Sequence, residues 1–143
     1  MRGIRGKDTS PEMFVRRLVH SLGYRFRLHR RDLPGTPDLV FPSRRKVIFV
    51  HGCFWHRHSC PRGRSTPATR RQFWNRKLDG NRRRDAASRR RLRTLRWRVL
   101  VLWECQLAKK NLARTVARVQ SFLRSKRGQG ISSNGAAESQ PSR

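Results

Sequence analysis

The first helix of the chain is predicted by apolar residues that recur at every fourth position. Phe14, Leu18 and Leu22 follow this spacing and, with Val15 and Val19 beside them, would form one apolar face. The tripeptide Ser-Pro-Glu at positions 10–12 is typical of a helix start, because Ser caps the first turn, Pro fits it, and an acid lies near the positive helix end. Gly23 is expected to end this helix.

Four short segments have the composition and alternation of β-strands. Residues 24–29 (YRFRLH) alternate strictly, which indicates a half-buried strand. Residues 38–41 (DLVF) and 46–51 (KVIFVH) are apolar and rich in β-branched side chains, and the short PSRR turn between them predicts a hairpin. Residues 97–103 (WRVLVLW) form the most hydrophobic run and predict a buried strand.

Helices and loops are predicted for most of the remaining chain. Residues 61–69 favour a loop, and residues from 70 to 95 favour a highly charged helix with a break at Gly80-Asn81. Apolar residues between 112 and 123 lie on one face of a last helix. The order helix, three strands, helices, strand, helix predicts an α/β fold in which helices flank a mixed central sheet.

One folded domain is expected from a length of 143 residues. Residues 1–10 are typical of a basic arm, residues 11–125 carry the predicted elements, and residues 126–143 have the composition of a disordered polar tail. Because the hairpin strands are antiparallel, Asp38 at the start of one strand is expected beside His51 at the end of the other, at one edge of the sheet.

The charge of the chain is far outside the ordinary range. It has 36 Lys and Arg against 8 Asp and Glu, for a formal net charge of +28. Such a charge favours a polyanionic partner, and nucleic acid is the first candidate. An arginine-rich genome could raise the charge, but it would not explain the scarcity of acids. The sequence has neither an apolar run of the ~20 residues that a membrane helix needs nor a hydrophobic signal segment, so we expect a cytoplasmic protein without a membrane partner.

Cysteine and histidine cluster after the second hairpin strand. Cys53, His58 and Cys60 are spaced as C-x4-H-x-C, and Cys105 lies just past the last predicted strand. If that strand joins the sheet beside the hairpin, its end can bring Cys105 to the cluster. Thiolates and an imidazole suit tetrahedral Zn²⁺ in a closed structural site. Two alternatives stay open, namely His56 in place of His58 as the ligand, and a buried free Cys105 with two ordinary surface cysteines.

A second group of residues is a candidate for phosphodiester hydrolysis, which needs an activated water and a cation. Asp38 is a hard oxygen ligand suited to Mg²⁺. His51 can accept a proton near neutrality, and His56 is near enough in sequence to act on the other side of a phosphate. Glu12 could orient a water or a histidine. Structural roles stay open: Asp38 as a turn cap, His51 as a satisfied strand-end histidine, and Glu12 as a helix N-terminal acid.

Four segments of the chain form long and specific motifs, namely TPDLVF, VIFVHGCFWHRHSCP, PATRRQFWNRKLDGN and WRVLVLWEC, and the stretches RGKDTSPE and YRFRLHRRDLPG accompany them. With these motifs the chain resembles the very-short-patch repair (Vsr) DNA mismatch endonucleases over residues 4–107. The resemblance implies a restriction-endonuclease-like fold of the PD-(D/E)XK superfamily with a structural zinc. It also implies a nuclease domain at 11–125 that uses Mg²⁺ to nick DNA on the 5′ side of the T in a T:G mismatch. Such mismatches arise when 5-methylcytosine deaminates.

The resemblance also implies roles for particular side chains. Asp38 would be catalytic and would ligate Mg²⁺, together with the backbone carbonyl of Val50. His51 and His56 would be the catalytic histidines, and Glu12 the assisting acid. Val50 stands where some family members have Thr, a change that is harmless if only the carbonyl binds the metal.

The remaining roles implied by the resemblance concern zinc and DNA. The zinc ligands would be Cys53, His58, Cys60 and Cys105. Phe54, Trp55 and Trp74 would contact DNA as aromatic wedges, which enter a base stack most easily at a mismatch. Ordinary core packing is the alternative for Phe54 and Trp55.

Two competing functions and several partners follow from these expectations. The competing functions are a nuclease of a restriction-modification system and a non-catalytic zinc-containing DNA-binding module. The expected partner is double-stranded DNA with a T:G mismatch, bound by a monomer in the nucleoid, and the sequence leaves mismatch-repair factors open as partners. The stretch before Ile4 is shorter than the N-terminal arm of many family members, which puts the contribution of the arm in question.

Overall fold

The computed structural model describes residues 9–125, so the predicted arm at 1–10, except Thr9 and Ser10, and the predicted tail at 126–143 lie outside it. The helices are α1 (Ser10–Ser21), α2 (Pro61–Arg64), α3 (Arg71–Thr94) and α4 (Lys109–Arg124). The strands are β1 (Arg27–Leu28), β2 (Leu39–Phe41), β3 (Lys46–His51) and β4 (Arg98–Trp103). Single 3-10 turns span Pro42–Arg44 and Glu104–Leu107.

The strands form a mixed sheet, as predicted, and their order in it is β1-β2-β3-β4. β1, β2 and β3 are antiparallel neighbours, whereas β3 and β4 are parallel. The register pairs His51 with Trp103, so the ends of β3 and β4 meet at one edge of the sheet. Leu39 pairs with Ile48, which brings Asp38 to the same edge from the start of β2.

Helices cover both faces of the sheet. On one face α1 and α4 bury Val15, Val19, Val119 and Leu123 against apolar residues of the three longer strands. On the other face α3 and the segment after it bury Leu92 and Trp97 against Val40, Val47 and Phe49. This alternation of strand side chains between two helix layers confirms the predicted α/β architecture. Within residues 9–125, no helix combines the length and the apolar composition needed to cross a membrane.

The first helix is capped one residue earlier than predicted. Thr9, not Ser10, is the N-cap, since its hydroxyl accepts the Glu12 N–H at 3.3 Å. The fully buried residues of the predicted apolar face are Val15 and Val19, beside the Phe14 series. Both apolar series lie within one stripe of the helix, and packing against the sheet selects its centre.

Three further predictions about local structure were wrong in extent. The alternation predicted at 24–29 holds in side-chain exposure only for residues 24–27, since Leu28 is 41% exposed, and only β1 pairs, as an edge strand with a single partner. The loop at 61–69 begins with the short helix α2. Helix α3 continues through Gly80-Asn81, because buried Leu78 and Leu92 on either side anchor it and outweigh the ~1 kcal/mol cost of a helical Gly.

Candidate functional site

A cleft of about 460 Å³ opens at the edge where β2 starts and β3 ends. Asp38, Val50, His51 and His56 line it, so the structure brings together the residues predicted to be catalytic, apart from Glu12, which lies behind Asp38. Further lining residues come from the turn between β1 and β2: His29, Arg31, Gly35 and Thr36.

The carboxylate of Asp38 is held by the backbone of the neighbouring strand. Its Oδ2 accepts the N–H of Val50 at 2.6 Å. Burial raises the pKa of Asp38 to about 7, and the negative charge of Glu12 adds to the rise while the Val50 N–H opposes it. Because Asp38 is largely buried beside a second acid, Glu12, a cation bound here would stabilise its charged form.

His51 is buried at the end of β3 and stacks on a second imidazole. Its ring lies 3.9 Å from that of His56 at an interplanar angle of 6°, and Trp103 contacts it edge-on at 5.1 Å. Burial lowers the pKa of His51 well below its ordinary value, and the charges of His56 and Arg89 lower it further. Within residues 9–125, its Nδ1 has no hydrogen-bond partner. A neutral imidazole in this setting can accept a proton.

His56 is oriented by an acid that the sequence analysis missed. Its Nδ1 lies 2.6 Å from Oδ2 of Asp85, which is on the long helix α3. The two residues are 29 positions apart, and Asp85 stands among arginines in a charged helix that was predicted to break before it. The only signal in the sequence was the scarcity of acids, because in a chain with 8 Asp and Glu each carboxylate is a candidate for a specific role.

Glu12 lies on the far side of Asp38 and is buried. Its Oε2 accepts the guanidinium of Arg16 at 2.8 Å and makes a short contact with Nε2 of His29. Glu12, His29 and Asp38 therefore form a continuous group of polar side chains. His29 is the second site residue that the sequence analysis missed, because it fell within a segment interpreted only as a strand.

The cysteine cluster forms next to the cleft. The ligand atoms of Cys53, His58, Cys60 and Cys105 all lie within 4.8 Å of one another. Burial raises the pKa of Cys53 to about 12, whereas N–H groups at the start of α2 outweigh burial and lower the pKa of Cys60. Three thiols and an imidazole at these separations could bind a metal ion, and this donor set suits zinc.

Trp103 lies between the cysteine cluster and the cleft. Its ring stacks on His58 at 4.2 Å with an interplanar angle of 16° and contacts His51 from its edge. The last residue of β4 thereby packs on one histidine of each group. A change in the position of the cysteine cluster would be transmitted directly to the cleft.

The aromatic residues predicted to contact DNA form one cluster. Phe54, Trp55 and Trp74 have ring centroids between 5.1 and 5.9 Å apart. Trp55 is 42% exposed, and Asn81 of α3 donates to its carbonyl oxygen at 3.1 Å. The exposure of Trp55 argues against ordinary core packing for this residue.

Basic side chains extend from this cluster along α3. The exposed ones on the helix are Arg71, Arg76, Lys77, Arg82, Arg83, Arg84, Arg90, Arg91 and Arg93. An array of this length offers contacts to many phosphates and no sequence preference of its own.

Comparisons with known proteins identify the family of the chain. A family model described as DNA mismatch endonuclease Vsr matches residues 1–62. A protein of Xanthomonas oryzae pv. oryzae named type II nicking enzyme V.XorIIP is 52% identical over 86% of this chain and 88% of its own length. DNA mismatch endonuclease Vsr of Escherichia coli is 46% identical over 75% of this chain and 68% of its own. A type II nicking enzyme of Neisseria meningitidis is 37% identical over 78% and 79%. The chain therefore belongs to the Vsr family of DNA mismatch endonucleases and nicking enzymes.

Proposed function

We propose that the protein nicks one DNA strand on the 5′ side of the T in a T:G mismatch, by Mg²⁺-dependent hydrolysis within a PD-(D/E)XK-type nuclease fold. The observation that carries the proposal is the convergence of a largely buried carboxylate and two stacked imidazoles in one cleft at the edge of the sheet. Membership of an endonuclease family supports the nuclease chemistry. The DNA substrate would place the protein in the cytoplasm with the nucleoid.

The residues of the cleft fit a Mg²⁺ ion and a hydrolytic water. The carboxylate of Asp38 and the carbonyl of Val50 are the hard oxygen donors that would hold the metal. When bound, Mg²⁺ would offset charge on the phosphate. The His51 imidazole, which its burial keeps neutral, would accept the proton of the attacking water. His56, held by Asp85, would donate a proton to the leaving oxygen.

The cysteine cluster fits a structural zinc ion. Its four ligands leave no open position for water, so the metal would stabilise the loop after β3 and take no part in hydrolysis. Through Trp103, the same metal would fix the wall of the cleft that carries His51. In this proposal His58 binds zinc and His56 acts in catalysis.

Asp38→Ala tests the catalytic part of the proposal. We expect nicking to fall by about a thousandfold or more, because the metal would lose its carboxylate ligand. DNA affinity should stay the same or increase, since the change removes a negative charge near the phosphates. The matched control is Asp32→Ala, which removes an exposed carboxylate paired with Arg30. Nicking by Asp38→Ala within tenfold of the unaltered protein would refute the assignment.

Trp55→Ala tests the mismatch preference. Stacking of a base on an aromatic ring contributes roughly 1–3 kcal/mol, so the preference for T:G over matched duplex should fall by about one to two decades. General DNA affinity should change little, because it is spread over many arginines. Leu95→Ala is the control, since Leu95 is 48% exposed at the far end of α3. An unchanged preference in Trp55→Ala would move the wedge to Phe54 or Trp74.

A second candidate is a nicking enzyme attached to a restriction-modification system. The names of several relatives, which include the words type II nicking enzyme, favour it. Both candidates use the same cleft, so they differ in the bases that surround the mismatch. Nicking of T:G duplexes in varied sequence contexts, with matched duplexes beside them, separates the two.

A further inference from the structure

His29 has a backbone conformation that its surroundings must hold. It follows β1 with φ of +44°, in the left-handed region that a residue other than glycine rarely adopts. Its N–H donates to the carbonyl oxygen of Asp38 at 3.4 Å. Such a conformation costs on the order of 1–3 kcal/mol and persists where the neighbouring structure fixes it, often at a functional site.

The side chain of His29 lies between the two acids of the cleft. Its Nε2 contacts Oε2 of Glu12 and is 3.8 Å from Oδ1 of Asp38. The imidazole is 18% exposed and lines the cleft, whereas Glu12 behind it is only 2% exposed. His29 is thus the group through which Glu12 is joined to the cleft.

The position of the His29 ring reduces the repulsion between the carboxylates of Glu12 and Asp38. Carboxylate oxygens of Glu12 and Asp38 lie within 4.8 Å of each other. Two negative charges at this distance repel each other, and either carboxylate could rotate away from a productive orientation. Oδ2 of Asp38 is already fixed by the Val50 N–H, so its Oδ1 is the oxygen that the ring faces. A donor at Nε2 fixes Glu12 through a hydrogen bond, and at 3.8 Å it places the ring within electrostatic reach of Oδ1 of Asp38.

We propose that His29 is a positioning residue for strand cleavage, whose Nε2–H holds the Glu12 carboxylate beside Asp38. The proposal rests on the function proposed above, in which Asp38 binds Mg²⁺ and the cleft hydrolyses DNA. His29 itself need not contact the reacting phosphate. Its effect is exerted through the alignment of the two acids.

Two substitutions separate the side chain from the backbone. His29→Asn keeps a residue that tolerates a positive φ, but its amide is too short to reach Glu12. His29→Gln places an amide N–H close to the position of Nε2. His20→Asn is the matched control, because His20 is exposed on α1.

We expect kcat for nicking to fall by about 10- to 100-fold in His29→Asn, as in other cases where a reacting group is slightly displaced. The Kd for DNA should stay within about threefold, because the phosphate contacts lie elsewhere. His29→Gln should recover kcat to within about fivefold of the unaltered protein, and His20→Asn should match it. Melting temperatures of the variants check that each is folded.

Binding of Mn²⁺ alone to the protein–DNA complex, followed by electron paramagnetic resonance, gives a readout that is independent of turnover. The Kd for Mn²⁺ should rise about tenfold in His29→Asn and recover in His29→Gln, because a misaligned Asp38 is a poorer ligand. The double variant Glu12→Gln/His29→Asn should be no slower than the slower single variant, since the two residues would act as one unit.

The outcomes distinguish this proposal from the function on which it rests. If Asp38→Ala nicks normally, the proposed site itself is refuted. If Asp38→Ala is inactive while folded His29→Asn nicks and binds Mn²⁺ within threefold of the unaltered protein, only the role of His29 is refuted. Failure of His29→Gln to recover kcat or Mn²⁺ binding while folded would likewise overturn it, and additive losses in the double variant would show that His29 does not act through Glu12.

Discussion

The two ends of β3 each bury a nitrogen base, but their surroundings differ. At the start of the strand, Nζ of Lys46 donates to the carbonyl oxygens of Phe122 and Leu123 at 2.6 and 3.2 Å, and to the carbonyl and hydroxyl oxygens of Ser125. At the end of the strand, Nδ1 of His51 has no partner within residues 9–125. Both side chains are at most 5% exposed.

The difference indicates what each end is for. A buried base surrounded by acceptors at the C-terminus of α4 satisfies both partners, and it ties the helix to the sheet. A buried base with an unoccupied nitrogen costs stability of about 1–3 kcal/mol, and it is retained where a ligand or reacting group completes it. Within one strand of six residues, the Lys46 end therefore ties the helix to the sheet, whereas the His51 end leaves Nδ1 without a partner within residues 9–125 and, under the proposed function, serves hydrolysis.

The largest expected effect comes from removal of the metal that would support the His51 end. In Cys60→Ser we expect the zinc content to fall from about one per chain to nearly none, because the donor set loses a thiolate. The melting temperature should drop by roughly 10 °C or more, since binding of the metal is coupled to folding of the loop. Metal analysis and thermal unfolding measure both quantities.

Ser59→Ala is the control for this experiment, because Ser59 is exposed beside the cluster and offers no sulfur. A purified unaltered protein without zinc would contradict the structural role of the metal. An unchanged melting temperature in metal-free Cys60→Ser would show that the His51 end supports itself.

His51→Leu should separate activity from stability. We expect nicking to fall by about 10²- to 10⁴-fold, the usual contribution of a positioned acid or base. The melting temperature should stay the same or rise, because an apolar side chain of similar size removes an unsatisfied nitrogen. Single-turnover nicking and thermal unfolding are compared with His20→Leu, an exposed counterpart. A lower melting temperature with normal nicking would show that His51 contributes to stability and not to hydrolysis.

Lys46→Met should give the opposite result. The carbonyl of Ser125 would lose its donor, whereas those of Phe122 and Leu123 keep the Ser125 hydroxyl and Arg44, so we expect a loss of about 1–3 kcal/mol in the free energy of unfolding. The nicking rate of the folded protein should be unchanged, because Lys46 lies at the opposite end of the strand from the cleft. Urea unfolding provides the free energy, and Lys109→Met is an exposed control. A defect in nicking at full stability would contradict this assignment.

The elements that the sequence predicted well are those whose signal is local. The hairpin of β2 and β3 and the buried strand β4 are continuous apolar runs, and the turn residues between them fix their boundaries. The parallel pairing of β3 and β4 then brings Cys105 to the cysteine cluster, as expected from the order of the elements. The break predicted at Gly80 was wrong, because local propensity was overridden by packing on both sides of it.

The parts of the site that the sequence did not reveal depend on contacts between distant positions. Asp85 reaches His56 from 29 residues away, and His29 reaches Glu12 from 17 residues away. Neither lies in a spacing that chemistry alone would single out. Both become visible only when a helix or an edge strand is placed against the cleft. The single-residue shift of the α1 cap from Ser10 to Thr9 is of the same origin, since both residue types can cap.

The smallest effect concerns the charge of Lys46. Burial, together with Arg98 and Arg44, lowers the pKa of Lys46 in the folded protein from 10.5 to about 8. Below pH 8 both states hold the proton, and burial of the charge reduces stability. Between pH 8 and 10.5 the unfolded chain binds more protons than the folded one, so the free energy of unfolding should rise with pH, by about 1–2 kcal/mol.

The rise is measured as the difference in unfolding free energy between the unaltered protein and Lys46→Met at several pH values, so that contributions of other groups cancel. The difference should favour the unaltered protein more strongly at pH 10 than at pH 7.5. Carbonyl oxygens at the C-terminus of α4 oppose this trend, because they stabilise the ammonium form. A difference that stays flat across this range would mean that these acceptors fully offset the cost of burial. The contrast with the unsatisfied His51 at the other end of β3 would then be sharper still.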